Sequence, residues 1–164
     1  MKQKTLIDPA VLKVKVNLVA TIRDAKTGRI KRVIKRHNIV PTSGRSAIAS
    51  FLGNTSPTPA TLYPNYCALG TGITAPANGD TTLQTETYRN LVASRTNANN
   101  VAYITGFFSA TEYPPSGSVA LKEAGLFIAG TASANTGTLF SRVAINITKS
   151  TSETLTLDWT VTIN

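Results

Sequence analysis

The chain reads as mostly β: a single antiparallel β-sandwich, jelly-roll-like, with one short helix near 43–52 and a basic N-terminal arm and hairpin. Three observations point there. Thr supplies 25 of the 164 residues, and its β-branched side chain suits the outward face of a strand. Apolar and polar residues alternate with a period of two over long stretches, the spacing of a half-buried strand. Clusters of Gly, Pro, Asn and Ser punctuate these stretches at the intervals of a sandwich or barrel.

Taken in order, residues 1–11 read as a short basic arm, and 12–164 as one domain of ordinary size. Leu12, Val14, Val16, Leu18, Ala20 and Ile22 share one face of a first strand. Lys13, Lys15, Asn17, Thr21 and Arg23 take the other, with Val19 the exception. Asp24-Ala25-Lys26-Thr27-Gly28 forms a turn with Gly at a left-handed position, and a second strand to about Val40 completes a long basic hairpin, 12–40. Thr42 or Ser43 then caps a helix whose apolar side is Ala47, Ile48, Phe51 and Leu52, stopped by Gly53. At about ten residues it needs tertiary support to form.

Residues 54–65, with three prolines, read as a loop, 66–70 as a short buried strand and 71–82 as a second loop. A turn follows, leading into a strand from Arg89. Strands are expected at 100–109, at 118–129 (apolar but poorly alternating), at 138–148 with Leu139, Val143, Ile145 and Ile147 inward, and at 154–164. Tyr113-Pro114-Pro115-Ser116-Gly117 and residues 130–137 supply the intervening turns. In the last strand Leu155, Leu157, Trp159, Val161 and Ile163 face inward, so Trp159 is a core anchor rather than a sugar-stacking platform.

Charge is distributed unevenly. Residues 1–45 hold twelve Lys and Arg against Asp8 and Asp24, and 46–164 hold five cations against six acids. The net charge of +9 is therefore a property of the first quarter of the chain. Lys2, Lys4, Lys13, Lys15, Arg29, Lys31, Arg32, Lys35 and Arg36 form a basic arm and ribbon suited to an acidic partner. Charged residues overall make up only 15%, and a surface rich in Thr, Ser and Asn suits contact with other proteins.

Catalytic parts are scarce. His37 is the one histidine and Cys67 the one cysteine, so neither a zinc site nor a Ser-His or Cys-His arrangement has its parts. Cys67 reads as a small buried hydrophobe. The acids sit mostly in turns or on outward strand positions, a poor setting for paired-carboxylate chemistry. Asn78-Gly79-Asp80 reads as a polar turn rather than a calcium loop, and Gly70-Thr71-Gly72 lacks the third glycine of a dinucleotide loop. Asn54-Thr55-Ser56 and Asn146-Ile147-Thr148 match a glycosylation sequon, but no secretory signal opens the chain and no run approaches a membrane span. No catalytic residue, metal or cofactor is expected.

Several short stretches are familiar in succession: Asn38-Ile39-Val40 leading through Gly44 into the helix, Ala68-Leu69-Gly70-Thr71-Gly72, and Asp80-Thr81-Thr82-Leu83-Gln84-Thr85-Glu86-Thr87-Tyr88-Arg89. Then come Glu123-Ala124-Gly125-Leu126-Phe127, Leu139-Phe140-Ser141-Arg142-Val143, Lys149-Ser150 and Leu155-Thr156-Leu157-Asp158-Trp159-Thr160-Val161. From about Asp24 onward this order resembles a family of small structural proteins of tailed-phage virions, found on the tail, baseplate, fibre attachment or head surface. The resemblance implies a virion component with a β-sandwich. With one cysteine and no secretory signal, it is expected to be made in the bacterial host cytoplasm; a trimer or hexamer docked on other virion proteins is the expected assembly. Within those stretches Glu123 and Arg142 are expected to pair across neighbouring strands, with Glu86 and Arg89 a second anchor; such pairs specify register more than they add stability. Gly125 is expected at a bulge or close approach. Two other classes remain open: a carbohydrate-binding module using Tyr63, Tyr66, Tyr88, Tyr103 or Tyr113, and a nucleic-acid binder using residues 1–45. The latter region contains no aromatic residue on which bases could stack.

Overall fold

The alternation at the two ends of the chain becomes two neighbouring strands. The computed structural model describes residues 13–53 and 63–164; the arm at 1–11 with Lys2 and Lys4, Leu12, and most of the proline-rich loop lie outside them. In chain order the elements are β1 Val14–Asp24, β2 Ile30–Asn38, α1 Thr42–Gly53, β3 Pro64–Gly70, β4 Glu86–Ala98, β5 Val101–Phe108, β6 Ser118–Ile128, β7 Thr138–Ser150 and β8 Glu153–Ile163. Hydrogen bonds join the strands in the order β2-β1-β8-β5-β4-β3-β6-β7. Every pair is antiparallel.

One strand lets this single sheet fold over on itself. The first half of β4 pairs with β3 as far as Leu91; after an irregularity between Val92 and Ser94 its second half pairs with β5. A bulge bends a strand and sharpens its twist, so β4 turns the corner between two facing layers. The sheet curls until Ile39 and Arg142 form a backbone bridge, nearly closing a barrel.

The main core lies between the layers. Leu18, Trp159 and Ile104 occupy one row across β1, β8 and β5, and Trp159 is buried with Leu155, Leu157 and Val161 from its own face. Gly106 makes room here: a Cβ on it would lie 2.6 Å from the Cys67 sulfur. A second cluster of Ala68, Leu83, Phe127 and Leu139 sits apart from the first, roofed by the segment between β3 and β4 that carries Leu83. β3 and β6 are thus covered on both faces. Cys67-Ala68-Leu69 and residues 123–128 are buried without interruption, which explains why the sequence alternates poorly there.

Three sequence-based expectations need correction. Phe51 and Leu52 are not buried: they are 49% and 74% exposed. Instead α1 docks through its first turn, where Gly44 lies so close to β7 that a Cβ would overlap the Phe140 carbonyl oxygen; Ala47 and Ile48 are half-buried. Leu139 belongs to the second cluster rather than to the inter-layer core. β4 begins at Glu86, not Arg89, because Tyr88 and Glu86 already pair with Leu69 and Gly70. Glu86 and Glu123, read as members of ion pairs, have side chains at 0% and 1% exposure.

Candidate interaction surface

The chain's buried charges are spent on holding loops. Glu123 on β6 reaches into the β3–β4 segment, where its carboxylate accepts the amides of Gly72 (3.2 Å), Gln84 (3.0 Å) and Thr85 (2.7 Å). Arg142 on β7 donates to Glu123 at 2.8 Å, to Asp80 at 2.6 Å and to the Thr74 carbonyl at 3.0 Å. Asp80 in turn accepts the amide of Ala77 at 2.7 Å, so Asn78-Gly79-Asp80 is a polar turn tied to an arginine. Gly72 fits beneath Glu123 only because it lacks a side chain. One buried acid and one buried arginine therefore bind the whole roof of the second cluster to the sheet.

The second pair works likewise. Arg89 meets Glu86 through two bonds of 2.5 and 2.8 Å and donates to the carbonyls of Thr131 and Thr136, while Glu86 accepts the amide of Asn135. The guanidinium also lies 4.6 Å from the centre of the Phe127 ring, an arrangement that favours a cation. This pair fixes the β6–β7 hairpin loop. Gly125 lies in close approach: a Cβ there would stand 3.0 Å from Leu83 and 3.1 Å from Leu139.

Sequence reasoning reads Asp80 only as part of a polar turn and Lys149 only as part of a familiar stretch, and assigns neither a buried partner. Lys149 is fully buried, with its ammonium donating to the carbonyls of Ser109 (2.9 Å), Tyr113 and Ser150. Burial pushes that ammonium below the ordinary lysine range, against the pull of Glu153 and Glu112. A signal did exist, since Lys149 is in phase with Ile145 and Ile147, the inward side of β7. No comparable pattern marks Asp80, whose partner is 62 residues away.

The basic ribbon stands at the other end of the sheet. Lys13, Lys15, Arg23, Arg29, Arg32, Lys35 and Arg36 are exposed. Lys31 is engaged, bridging Asp24 at 3.4 Å and Glu153 at 3.2 Å. The turn before β2 is tightened by Asp24: the Thr27 amide and hydroxyl hold its carboxyl at about 2. His37 hydrogen-bonds Asn17 through Nδ1 at 2.6 Å, so it is a surface histidine on the outer face.

Most tyrosines are used internally. Tyr88 stacks on Tyr113 at 4.9 Å, Tyr66 lies beneath Arg89, and Tyr63 faces Arg95. Tyr103 is the exposed one, on the same face of β5 as the exposed Phe107. An apolar cleft of about 380 Å3 opens between α1 and the ends of β4, β5 and β8, lined by Ile48, Phe51, Ile104 and Val161 among others. Among the described residues no group of three or more His, Cys, Asp or Glu is placed to hold a metal, and no helix is long and apolar enough to cross a membrane. Comparison with known proteins returns no match, whether with family models, curated proteins or solved structures.

Proposed function

We propose that the chain is a non-enzymatic building block of a tailed-phage virion, a multicopy component of head, neck, tail or baseplate that docks on other virion proteins through its basic ribbon. The observation that carries this reading is the division of charge. Every acidic side chain of the described residues is held by a partner within the fold, whereas the cations of β1 and β2 other than Lys31 project outward without a carboxylate partner among those residues. A surface of one sign beside a rigid, loop-pinned sheet suits electrostatic guidance onto an acidic protein face. The stretches that resemble phage structural proteins coincide with the clasp residues Asp80, Glu86, Arg89, Glu123 and Arg142, so the resemblance concerns the machinery that keeps loops rigid.

The test is association with particles. In tailed-phage particles encoded by a genome carrying this gene, peptides of the chain are expected to track with infectious particles through a density gradient and a salt wash. Their absence from purified particles would refute the reading. Light scattering on the purified protein adds the stoichiometry: a trimer or hexamer that survives high salt is expected, and a stable monomer would remove the idea of a preassembled part. A glycan-binding reading has less support, because one exposed tyrosine offers a single stacking position.

A further inference from the structure

The eight-stranded sheet has two ends, β2 and β7, and they join at one point. Ile39 and Arg142 exchange backbone hydrogen bonds, each amide donating to the other's carbonyl at 3.1 Å. Away from that bridge, among the described residues, each strand has a hydrogen-bonded neighbour on one side only. The strands part there around a cleft of about 370 Å3, with Lys31 and Arg32 on one side, Thr148 and Ser150 on the other, and Ile22 and Glu153 completing the lining; Glu153 is the carboxylate already paired with Lys31, which leaves Arg32 as the cleft's free cation among the described residues.

Exposure supports the same picture. Arg32 and Arg36 stand opposite Ile22 and Leu18, which point into the core, yet both arginines are exposed. On the other face of the strand Val33, Lys35 and His37 are exposed as well. β2 is therefore an edge strand with cations on both faces. A flat acidic surface would meet one face. An occupant that approaches along the edge meets both, because successive residues of an added strand point to opposite sides.

Charge identifies the occupant. Arg32, Lys35 and Arg36 have no carboxylate partner among the described residues; the acceptor of Arg36 is the carbonyl of Lys35. A second copy is poorly equipped to supply one. Of the eight acids, Asp8 lies outside the described residues and the other seven are already bound within the fold. Two β2 edges side by side would also set like charges opposite one another. A nucleic acid would find phosphate contacts, but no aromatic stacking surface in the ribbon and no use for the free backbone edge. The geometry points to an acidic, extended segment of a different protein, which adds to β2 as a further strand in the seam toward β7. This rests on the reading of the chain as an assembly protein and names the chemistry of its partner.

The full chain is titrated with three fluorescent probes: a dodecapeptide repeating valine-glutamate-glutamate-valine, which as a strand carries carboxylates on both faces, a dodecapeptide of equal charge with glycine in place of each valine, and a single-stranded DNA oligomer. The valine peptide is expected to bind about tenfold or more tighter than the glycine peptide, since affinity includes strand pairing as well as charge. Its binding is expected to slow amide exchange within 31–36 and 143–149. Replacing Arg32, Lys35 and Arg36 together with Glu is expected to lower affinity about tenfold or more with melting unchanged. Absence of peptide binding, binding without slowed exchange, or preferential capture of the oligomer would each overturn the proposal; in these cases the edge cations serve only to prevent sheet-to-sheet pairing. Particle uptake separates this proposal from the assembly reading. Particles lacking the wild-type chain refute assembly, whereas particles that take up the triple variant as well as wild type refute the docking edge alone.

Discussion

Replacing Arg142 with Met tests whether the buried clasp organises the fold. The Arg142 side chain is 3% exposed, and the substitution removes its bonds to Glu123, Asp80 and Thr74 while preserving side-chain bulk. Breaking a buried ion pair from one side costs about 3–5 kcal/mol, because the remaining charge stays buried. The lower end applies here, since Glu123 keeps three backbone amides and Asp80 keeps Ala77. About 3 kcal/mol is expected, equivalent to a fall of roughly 6–12 °C in melting temperature for a chain of this size.

The companion variant sharpens the test. Where two apolar residues replace an isolated buried pair, stability often recovers. Recovery is not expected for Glu123→Leu with Arg142→Met, because the amides of Gly72, Gln84 and Thr85 would lose their acceptor, at about 1–3 kcal/mol for each that stays buried and unpaired. Urea unfolding gives the free energies, and proteolysis or amide exchange across 71–85 reports whether the roof loosens first. Melting of Arg142→Met within about 1 kcal/mol of wild type, or a double variant as stable as wild type, would refute the clasp.

Three further outcomes are expected. The Asp24 carboxyl, held at about 2 in the fold against 3.8 when free, favours the hairpin turn above about pH 4 and loses that contribution as pH falls toward 2; a Thr27 amide resonance titrating near 3.8 would contradict this. Gly44→Ala improves helix propensity by about 1 kcal/mol, yet the new methyl meets the Phe140 carbonyl, and overpacking of about 1–3 kcal/mol is expected to win; a raised urea midpoint would show that α1 is free to shift. Lys149, sealed among three carbonyls, is expected to escape an amine-acylating reagent in the native protein and to react after denaturation. Peptide mass spectrometry reads the modification, and labelling of the native chain at Lys149 as readily as at Lys15 would show that it is accessible.

How much of this was legible in the sequence depends on the range over which each feature is decided. β1 and β8 were readable because one buried face writes a period of two into the chain: Leu18 and Trp159 lie on the expected sides and pack in one row. β6 was harder, since its covering on both faces erases the period that identifies a strand. Helix α1 showed an apolar side, but which residues of that side find a surface is decided by β7, nearly a hundred residues later. There the contact selects Gly44 and leaves Leu52 largely exposed and Phe51 only half covered, at the rim of the apolar cleft.

The same distinction runs through the charged residues. Glu86 and Arg89 are three apart, and their pairing is local. Lys149 could have been found from its parity on β7. Asp80 could not, because a polar turn bound to a buried arginine and a polar turn in solvent have the same composition. What makes the basic ribbon distinctive is likewise non-local. The sequence shows that cations crowd residues 1–45, but only the fold shows that the acids which could have neutralised them are already committed, most of them to holding loops. Among the described residues the carboxylates are thus engaged within the fold, while Arg32, Lys35 and Arg36 have only solvent and salt to screen them, and that asymmetry is the feature on which the proposed docking edge stands.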